Sequence, residues 1–513
     1  MLPEPARSII SRNKSPDIGF SQSINPYRGC EHACSYCLSG DTPVLMADGT
    51  IEPIAELREG DAIYGTERIG YYRRFVRTRV MAHWSVIKPA FRIQLEDGTE
   101  IVAGGDHRFL TERGWKFVTG AESGATQRPI LTINNKLMGT GHFASVPDKG
   151  ADYRLGYLCG VIRGDGTLRS YKYERAGRSH GDQPHFRLAL CDDEALSRTR
   201  EYLSEAQVET QPFVFALASV NRRAMNAIRT HAHANVDAVR RIIEWPDEPS
   251  RGWYIGFLAG MFDAEGSFSQ TVFRISNTDP QIIDWLTRAL KYLNFRFVIE
   301  HQDRTETKPI DVVRLVGGLV EHLRFFHTVD PAILRKRDIS GQAVKTNARL
   351  AVASIEPLGK PMRLYDITTG TEDFIANGVV SHNCYARPSH AYLGLSPGLD
   401  FETKLFYKAD AAKLLESELA TKNYKCSTIM IGANTDPYQP LERTQKVTRS
   451  ILEVLARTRH PCTITTKGAL VARDVDLLAD LARDGLTRVM FSIPTLNNEL
   501  KRVLEPRAAS AAA

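Results

Sequence analysis

Between residues 37 and about 140, apolar residues alternate with polar ones over short runs. Thr42-Pro-Val-Leu-Met, Asp61-Ala-Ile-Tyr and Phe91-Arg-Ile-Gln-Leu read as β-strands, punctuated by Asp48-Gly49, Glu59-Gly60 and Asp97-Gly98 turns. This predicts an all-β segment with no long helix. The pattern changes near Pro147. From 153 to about 337, stretches with helical spacing (194–205, 224–245, 280–293) alternate with β-rich ones. Short strands return at 350–355, 362–368 and 374–380. Beyond 384, strand-like 428–431, 463–465 and 488–493 alternate with helical 444–459 and 475–484, the pattern of βα units on a parallel sheet. The order is α/β, β, α+β, β, α/β, which predicts nested insertions.

One internal repeat marks the inner layer. Leu155-Gly-Tyr-Leu-Cys-Gly-Val-Ile-Arg-Gly-Asp-Gly-Thr-Leu168 aligns with Ile255-Gly-Phe-Leu-Ala-Gly-Met-Phe-Asp-Ala-Glu-Gly-Ser-Phe268.

Composition narrows the class. A chain of 513 residues holds three or more domains, and 42% hydrophobic with 25% charged residues excludes a wholly disordered, collagenous or coiled-coil chain. The longest apolar run, about 253–262, is too short to span a bilayer, and the N-terminus has no apolar secretory core, so a cytoplasmic protein without membrane association is expected. A net charge of +6 is too small to indicate a nucleic-acid partner. Basic and acidic residues nearly balance over 151–340, so any DNA-binding face there must come from arrangement. Arg73, Arg74, Arg77 and Arg79 read as a solvated strand face. His231 and His233 read as helix surface. The eight cysteines are no disulfide scaffold. Cys30, Cys34 and Cys37 cluster and Cys384 stands far downstream, whereas Cys159, Cys191, Cys426 and Cys462 read as small core residues.

The edges of the β segment carry a chemical set. Cys37 opens it and His382-Asn383-Cys384 closes it. A thiol can attack its preceding carbonyl and make a thioester. A second thiol can take the acyl group, an Asn amide can cyclise and cut the chain, and a His can move protons. With these edges, the segment 37–383 resembles an intein. Gly104-Gly-Asp-His107-Arg-Phe-Leu-Thr is similar to the block carrying the N-terminal catalytic His, and Arg363-Leu-Tyr-Asp366-Ile-Thr to the block whose Asp assists the thiol steps. The resemblance implies that Cys37 makes the first acyl shift with help from His107. Cys384 then accepts the acyl group with help from Asp366, and Asn383 cyclises with help from His382. Two positions depart from the family: Gly104 stands where a Thr or Ser is usual, and Glu372, beside Asp373, stands where a second His is frequent. Both departures are expected to slow splicing.

The repeat resembles the paired helices of LAGLIDADG homing endonucleases. Gly156-x3-Gly160 and Gly256-x3-Gly260 allow two helices to pack closely. Gly166 and Gly266 suit left-handed C-caps. Asp165 and Glu265 then fall at adjacent helix ends, where Mg²⁺ would join them. Arg163 stands in the first copy where the second has Asp263. The segments 185–190 and 267–276 would read double-stranded DNA. A decayed endonuclease that keeps only the helix packing is the alternative.

Joining Tyr36 to Cys384 creates a C-x3-C-x2-C run of Cys30, Cys34 and Cys384, able to hold three irons of a [4Fe-4S] cluster. With Gly432-Ala-Asn434-Thr-Asp436-Pro-Tyr-Gln-Pro, Thr463-Ile-Thr-Thr-Lys467, Phe491-Ser-Ile-Pro-Thr and Leu504-Glu-Pro-Arg507, the flanks resemble the spore-photoproduct-lyase-like branch of radical S-adenosylmethionine enzymes. That resemblance implies cofactor contacts at Asn434, Thr435 and Asp436. A zinc site is the alternative for the three thiols. The segment 384–513 is shorter than the family's partial barrel, so an incomplete host without radical catalysis is expected. In the unspliced chain Cys37 completes the motif with Cys30 and Cys34, so a bound metal or a Cys34–Cys37 disulfide would block splicing.

The expected architecture is multidomain: an all-β Hint splicing domain with an inserted α+β LAGLIDADG endonuclease, flanked by a split, truncated α/β radical SAM partial barrel. The segments are 1–36, 37–140, 141–342, 343–383 and 384–513. The competing reading is a splicing-deficient insertion whose chain acts as a metal- or cluster-binding module.

Overall fold

The computed structural model describes residues 2–12, 20–29, 37–119, 130–171, 174–175, 178–179, 183–219, 223–269, 271–303, 308–383 and 404–492. Cys30, Cys34, Tyr36 and Cys384 lie outside the described residues. The chain forms two compact units. One comprises Met1–Met46, Ile51–Gly141 and Ala343–Ala513, the other Ala47–Thr50 and His142–Gln342.

The first unit holds two large sheets. Among the described residues a twelve-stranded sheet runs from Ile51–Pro53 at one edge to Ala62–Ile69 at the other, with no long helix between 37 and 141. Its backbone is a pair of long antiparallel strands, Tyr72–Leu95 and Lys345–Thr369. The predicted short strands at 350–355 and 362–368 are thus parts of one bent strand. The register slips at Val352/Ser354 and again at Pro357/Pro361, where the second slip falls at prolines that remove ladder donors. The predicted strand 374–380 is instead a hairpin, Asp373–Ala376 and Val379–His382, joined by Asn377-Gly378 with φ 42° and 79°. Two residues of positive φ make the turn whose twist suits a hairpin. Ile93, Ile101, Phe109, Leu137, Val352, Ile367 and Phe374 meet in the core of this sheet.

The second sheet joins the two ends of the sequence. Gln22–Ile24, Ile429–Ile431, Cys462–Thr466 and Thr487–Phe491 run parallel, with Ser11–Arg12 at the edge. The helices Val447–Arg457 and Val475–Arg483 bury Ile451, Leu452, Leu455, Leu478 and Leu481 with the strand residues Ile24, Ile429, Ile431 and Ile464. The pairing of Ser23 with Met430 shows that segments on either side of 37–383 belong to one sheet.

The other unit is a tandem duplication. The helices Ala151–Asp165 and Arg251–Glu265 lie face to face, and their glycines are required. A Cβ on Gly156 would sit 2.1 Å from Trp253 O, and one on Gly256 would sit 1.9 Å from Tyr153 O. Each helix leads into a four-stranded antiparallel sheet of the same order: first, second, fourth, third strand. Asp193–Glu205 and Pro280–Tyr292 occupy equivalent places as helices.

Several expectations are corrected here. Gly166 (φ −75°, ψ 148°) and Gly266 (φ −82°, ψ 149°) are extended, not left-handed. The chain runs straight from helix to strand, and glycine is needed because a Cβ would lie 2.4 Å from Ile162 O or Phe262 O. The predicted helix 224–245 begins as the strand Met225–Thr230 and becomes helical only at His233–Ile242. The central place of that strand, between Gln183–Leu190 and Gln211–Ala216, buries Ala227, Ile228 and Thr230 and overrides local propensity. His231 therefore lies in the connection between them, exposed. Cys159 and Cys462 are buried, but Cys191 and Cys426 are exposed. Among the described residues no helix is long and apolar enough to cross a membrane.

Candidate functional site

Cys37 sits at the start of the strand pairing that holds its sheet. It is fully buried, packed with Ala90 and Leu364, and its carbonyl accepts a hydrogen bond from Gly104 N at 2.9 Å. The strand Glu100–Gly104 carries the chain to His107, whose backbone N donates to Gly104 O (3.0 Å). The His107 ring is buried. Its Nε2 lies 2.6 Å from Ser381 Oγ, and its Nδ1 has no partner among the described residues. Burial first, then the charges of Lys88 and His382, hold His107 well below the usual histidine range, so the ring is neutral at pH 7.

Ser381 belongs to the hairpin that also carries His382 and Asn383. Phe109 pairs with Ser381 across the ladder, and Asp373 with His382. Burial, with Arg108 and Arg73 adding positive charge, lowers His382 to about 4. Its ring packs edge-on to Trp115 at 4.9 Å. Asn383 is buried. In the amide orientation that satisfies its neighbours, Oδ1 accepts from Thr369 N (3.0 Å) and Nδ2 donates to Glu372 O (2.9 Å). Asp366 is buried on Lys345–Thr369, and its Oδ1 accepts from Ile367 N at 2.9 Å. The structure thus places His382 within one sheet and Cys37, His107 and Asn383 at the ends of its strands. Cys384 lies outside the described residues, as does the proposed control by Cys30 and Cys34.

Sequence reasoning missed four groups here. Ser381 holds His107. Thr369 and the Glu372 carbonyl hold Asn383. Asp373 is buried and bonded to Thr66 N (2.6 Å), Thr66 Oγ1 and Arg73 Nη1 (2.8 Å). Burial pushes Asp373 up to about 7 against those partners. Arg73 is therefore an ion-pair partner rather than part of a purely solvated face. Only the placement of Asp373 beside Glu372 hinted at any of these, and the partners of Asp373 lie some 300 residues away in sequence.

In the duplicated unit, Asp165 and Glu265 end the two packed helices. Asp165 keeps part of its surface in water, yet desolvation raises its carboxyl to about 6. Desolvation and the charge of Asp165 raise Glu265 to about 7. Asn277 Nδ2 donates to Glu265 Oε1 at 3.3 Å. Lys336, unforeseen in the sequence, is buried and donates to Phe262 O (3.0 Å) and Asp263 O (2.7 Å) at the end of the second helix. Asp263 and Arg163 are not equivalent. Asp263 is buried and accepts from Tyr157 Oη and from the N–H groups of Ala332 and Ile333. Arg163 instead donates to Ile243 O and stacks on Trp245 at 3.8 Å.

The first of the two sheets is the more basic. Its four strands carry no carboxylate, and exposed Arg169, Arg187 and Arg229 lie on one face. Arg187 stacks on Phe215 and Arg229 on Phe213, each at 4.7 Å. In the second sheet, Arg314 is paired with Glu300.

In the sheet formed by the two sequence ends, Asn434 N donates to Asn25 Oδ1 (2.7 Å) and Thr435 Oγ1 to Tyr27 O (2.8 Å). Asp436 accepts from Tyr438 N, Thr466 Oγ1 and Lys467 N. Thr435 and Asp436 thus brace the loop that follows Ile429–Ile431.

Residues 252–329, the second copy of the duplication, match the LAGLIDADG-like domain family. That stretch is similar to domains of that class. It is 38% identical over 122 residues to an uncharacterized protein of Mycobacterium tuberculosis (strain ATCC 25618 / H37Rv), covering 24% of this chain and 36% of that protein. It is 39% identical over 93 residues to the replicative DNA helicase DnaB of Rhodothermus marinus, covering 18% of this chain and 10% of the helicase. The chain thus spans little more than a third of the length of the first relatives it matches. Solved structures similar to parts of it include the homing endonuclease I-DmoI in complex with DNA and Mn (19% identity, TM-score 0.28, 35% of this chain and 97% of that one). A second is a Ssp DnaB mini-intein variant (10% identity, TM-score 0.24, 68% and 94%).

Proposed function

We propose that residues 37–383 excise themselves from the chain and join Tyr36 to Cys384, and that the duplicated unit within them cuts double-stranded DNA. The observation that carries the splicing reading is the 2.6 Å contact between His107 and Ser381. It ties His107, which is linked to Cys37 through the backbone of Gly104, to the hairpin that leads into Asn383. In this reading Cys37 Sγ attacks the Tyr36 carbonyl carbon, and neutral His107 passes the thiol proton to the departing nitrogen. The Cys384 thiol takes the acyl group, with Asp366 assisting. Asn383 Nδ2 then attacks its own carbonyl carbon, closing a succinimide and releasing the Cys384 amine, which takes back the acyl group.

The test is the intact mass of the protein expressed with reductant. A ligated 1–36/384–513 product and a free 37–383 fragment are expected, and neither should form in Cys37→Ala or Asn383→Ala. A single unprocessed 57.4 kDa species would overturn the reading.

The pH profile offers a second check. His382 titrates near 4, so it stays neutral through the physiological range. Asn383 cleavage in Cys37→Ala is expected to hold its His-dependent rate from neutral pH downward and to fall only near pH 4. An inflection near 6.5, the value of a solvated imidazole, would refute the assignment of this buried ring.

For DNA cleavage, Asp165 and Glu265 are the acids that would hold Mg²⁺. Oxygen donors suit that ion, and a cation would relieve both the desolvation of the two carboxylates and the charge of Asp165 that raises Glu265. When bound, the ion would supply positive charge and polarised water for phosphodiester hydrolysis. The acid-free face with Arg169, Arg187 and Arg229 supports phosphate contacts.

For the flanks we propose a radical S-adenosylmethionine host assembled by splicing. The parallel pairing of Gln22–Ile24 with Ile429–Ile431 supports one host fold on both sides of the insertion. The cluster thiols lie outside the described residues, and no step is drawn through the cluster.

A further inference from the structure

Gly104 stands where inteins usually carry a hydroxyl, and the structure contains a replacement. Lys88 lies on Tyr72–Leu95, two residues before Ala90, which pairs with Gly104. Val86, Lys88 and Ala90 share one face of that strand by the two-residue period. Ala90 belongs to the same small buried cluster as Cys37, and Val86 packs on it. A Cβ built on Gly104 would sit 2.2 Å from Lys88 Cε and 2.7 Å from its Nζ. The end of the lysine side chain therefore occupies the space that a Thr or Ser side chain would need, and such a side chain would have to displace the ammonium. Its side chain is only 14% exposed, and it is ion-paired with Asp106, the residue before His107.

We infer that Lys88, placed by Asp106, is the charge-stabilising group of the first splicing step and takes over the task of the hydroxyl missing at Gly104. This rests on the splicing reading above. In that step the Cys37 sulfur bonds to the Tyr36 carbonyl carbon and the carbonyl electrons move to oxygen. Collapse of that alkoxide breaks the C–N bond, and the thiol proton reaches the nitrogen through His107. Lys88 gains and loses no proton. Its ammonium, in a site shielded from water, lowers the energy of the transient negative charge. The same charge contributes to keeping His107 neutral.

The experiment measures dithiothreitol cleavage at Tyr36–Cys37 in a Cys384→Ala/Asn383→Ala background. Lys88→Met is expected to slow it by roughly 100-fold, the loss typical when one charge-stabilising donor is removed. Lys88→Arg should keep most of the rate. Asn383 cyclisation, read separately in Cys37→Ala, should change less than about threefold with Lys88→Met, which shows the fold intact. Gly104→Thr alone should be defective, because making room for it pushes the Lys88 ammonium out of place. Lys88→Ala/Gly104→Thr should recover at least about a tenth of the original rate, as coupled neighbours do. Unchanged cleavage in Lys88→Met, or no recovery in the double variant, overturns the inference. If the parent itself shows no Cys37-dependent cleavage, the splicing reading falls and the inference falls with it.

Discussion

Gly256→Val is expected to unfold the duplicated unit. The Cβ would lie 1.9 Å from Tyr153 O, 2.8 Å from Tyr153 C and 2.8 Å from Tyr157 N. All three are backbone atoms of the facing helix, so no side-chain rotation relieves the clash. Overpacking of an ordinary core costs about 1–3 kcal/mol, and a rigid backbone contact belongs at or above the top of that range. The helices would have to separate, exposing the apolar stripe that includes Tyr157, Leu158, Phe257, Leu258 and Met261. Chemical denaturation should show an early transition for this unit, with loss of DNA binding. Gly252→Ala is the control on the same helix. Its Cβ would meet Asp152 Cβ at an ordinary 3.4 Å, and the change should be neutral or slightly stabilising. Equal behaviour of the two variants would refute the close-packing account.

Glu265→Gln is expected to abolish most DNA cleavage while sparing the fold. Loss of a group acting directly on the reaction costs between about 10² and 10⁴ in rate. DNA binding should persist, because the arginines that face solvent are on other strands. The signs of the pH effects separate this from a structural defect. The folded carboxyl is raised to about 7, above the value in the unfolded chain, so its charge costs stability at pH 8 when no cation is bound. Glu265→Gln removes that cost, and the metal-free protein should melt higher at pH 8, not lower. In the unmodified protein, protons compete with the cation as pH falls through about 7 and then about 6, where Glu265 and Asp165 titrate. Half-saturation of cleavage by Mg²⁺ should therefore need more Mg²⁺ at pH 6 than at pH 8. A pH-independent requirement, or a lower melting point for Glu265→Gln, would remove these acids from the proposed role.

Much of the architecture was legible in the linear chain, for local reasons. Helix and strand periods, turn dipeptides and a motif repeated at a fixed offset are all carried by neighbouring residues. The glycines of the paired helices could be read because a one-turn spacing of small residues has few other uses. Local signals failed where the answer depended on distant partners. Met225–Thr230 became a strand because two other strands bury it. Gly166 and Gly266 are glycines because the preceding turn is too close, not because of positive φ.

By itself the sequence carried the nested pattern of segments and the candidate residues at the edges, Cys37 and His382-Asn383. It also determined that two acids end two matched helices. Only the tertiary structure decided how those residues are held. Ser381 on His107, Arg73 on Asp373 and Lys336 at the end of Arg251–Glu265 are contacts between residues remote in sequence, and Thr369 and Glu372 reach Asn383 only because the chain folds back as a hairpin. The vacancy at Gly104 looked like a missing group in the chain and proved to be filled by Lys88. The physical reason is the same in each case. A side chain's type states which chemistry is available, whereas its protonation and aim depend on burial and on neighbours that the chain acquires only by folding.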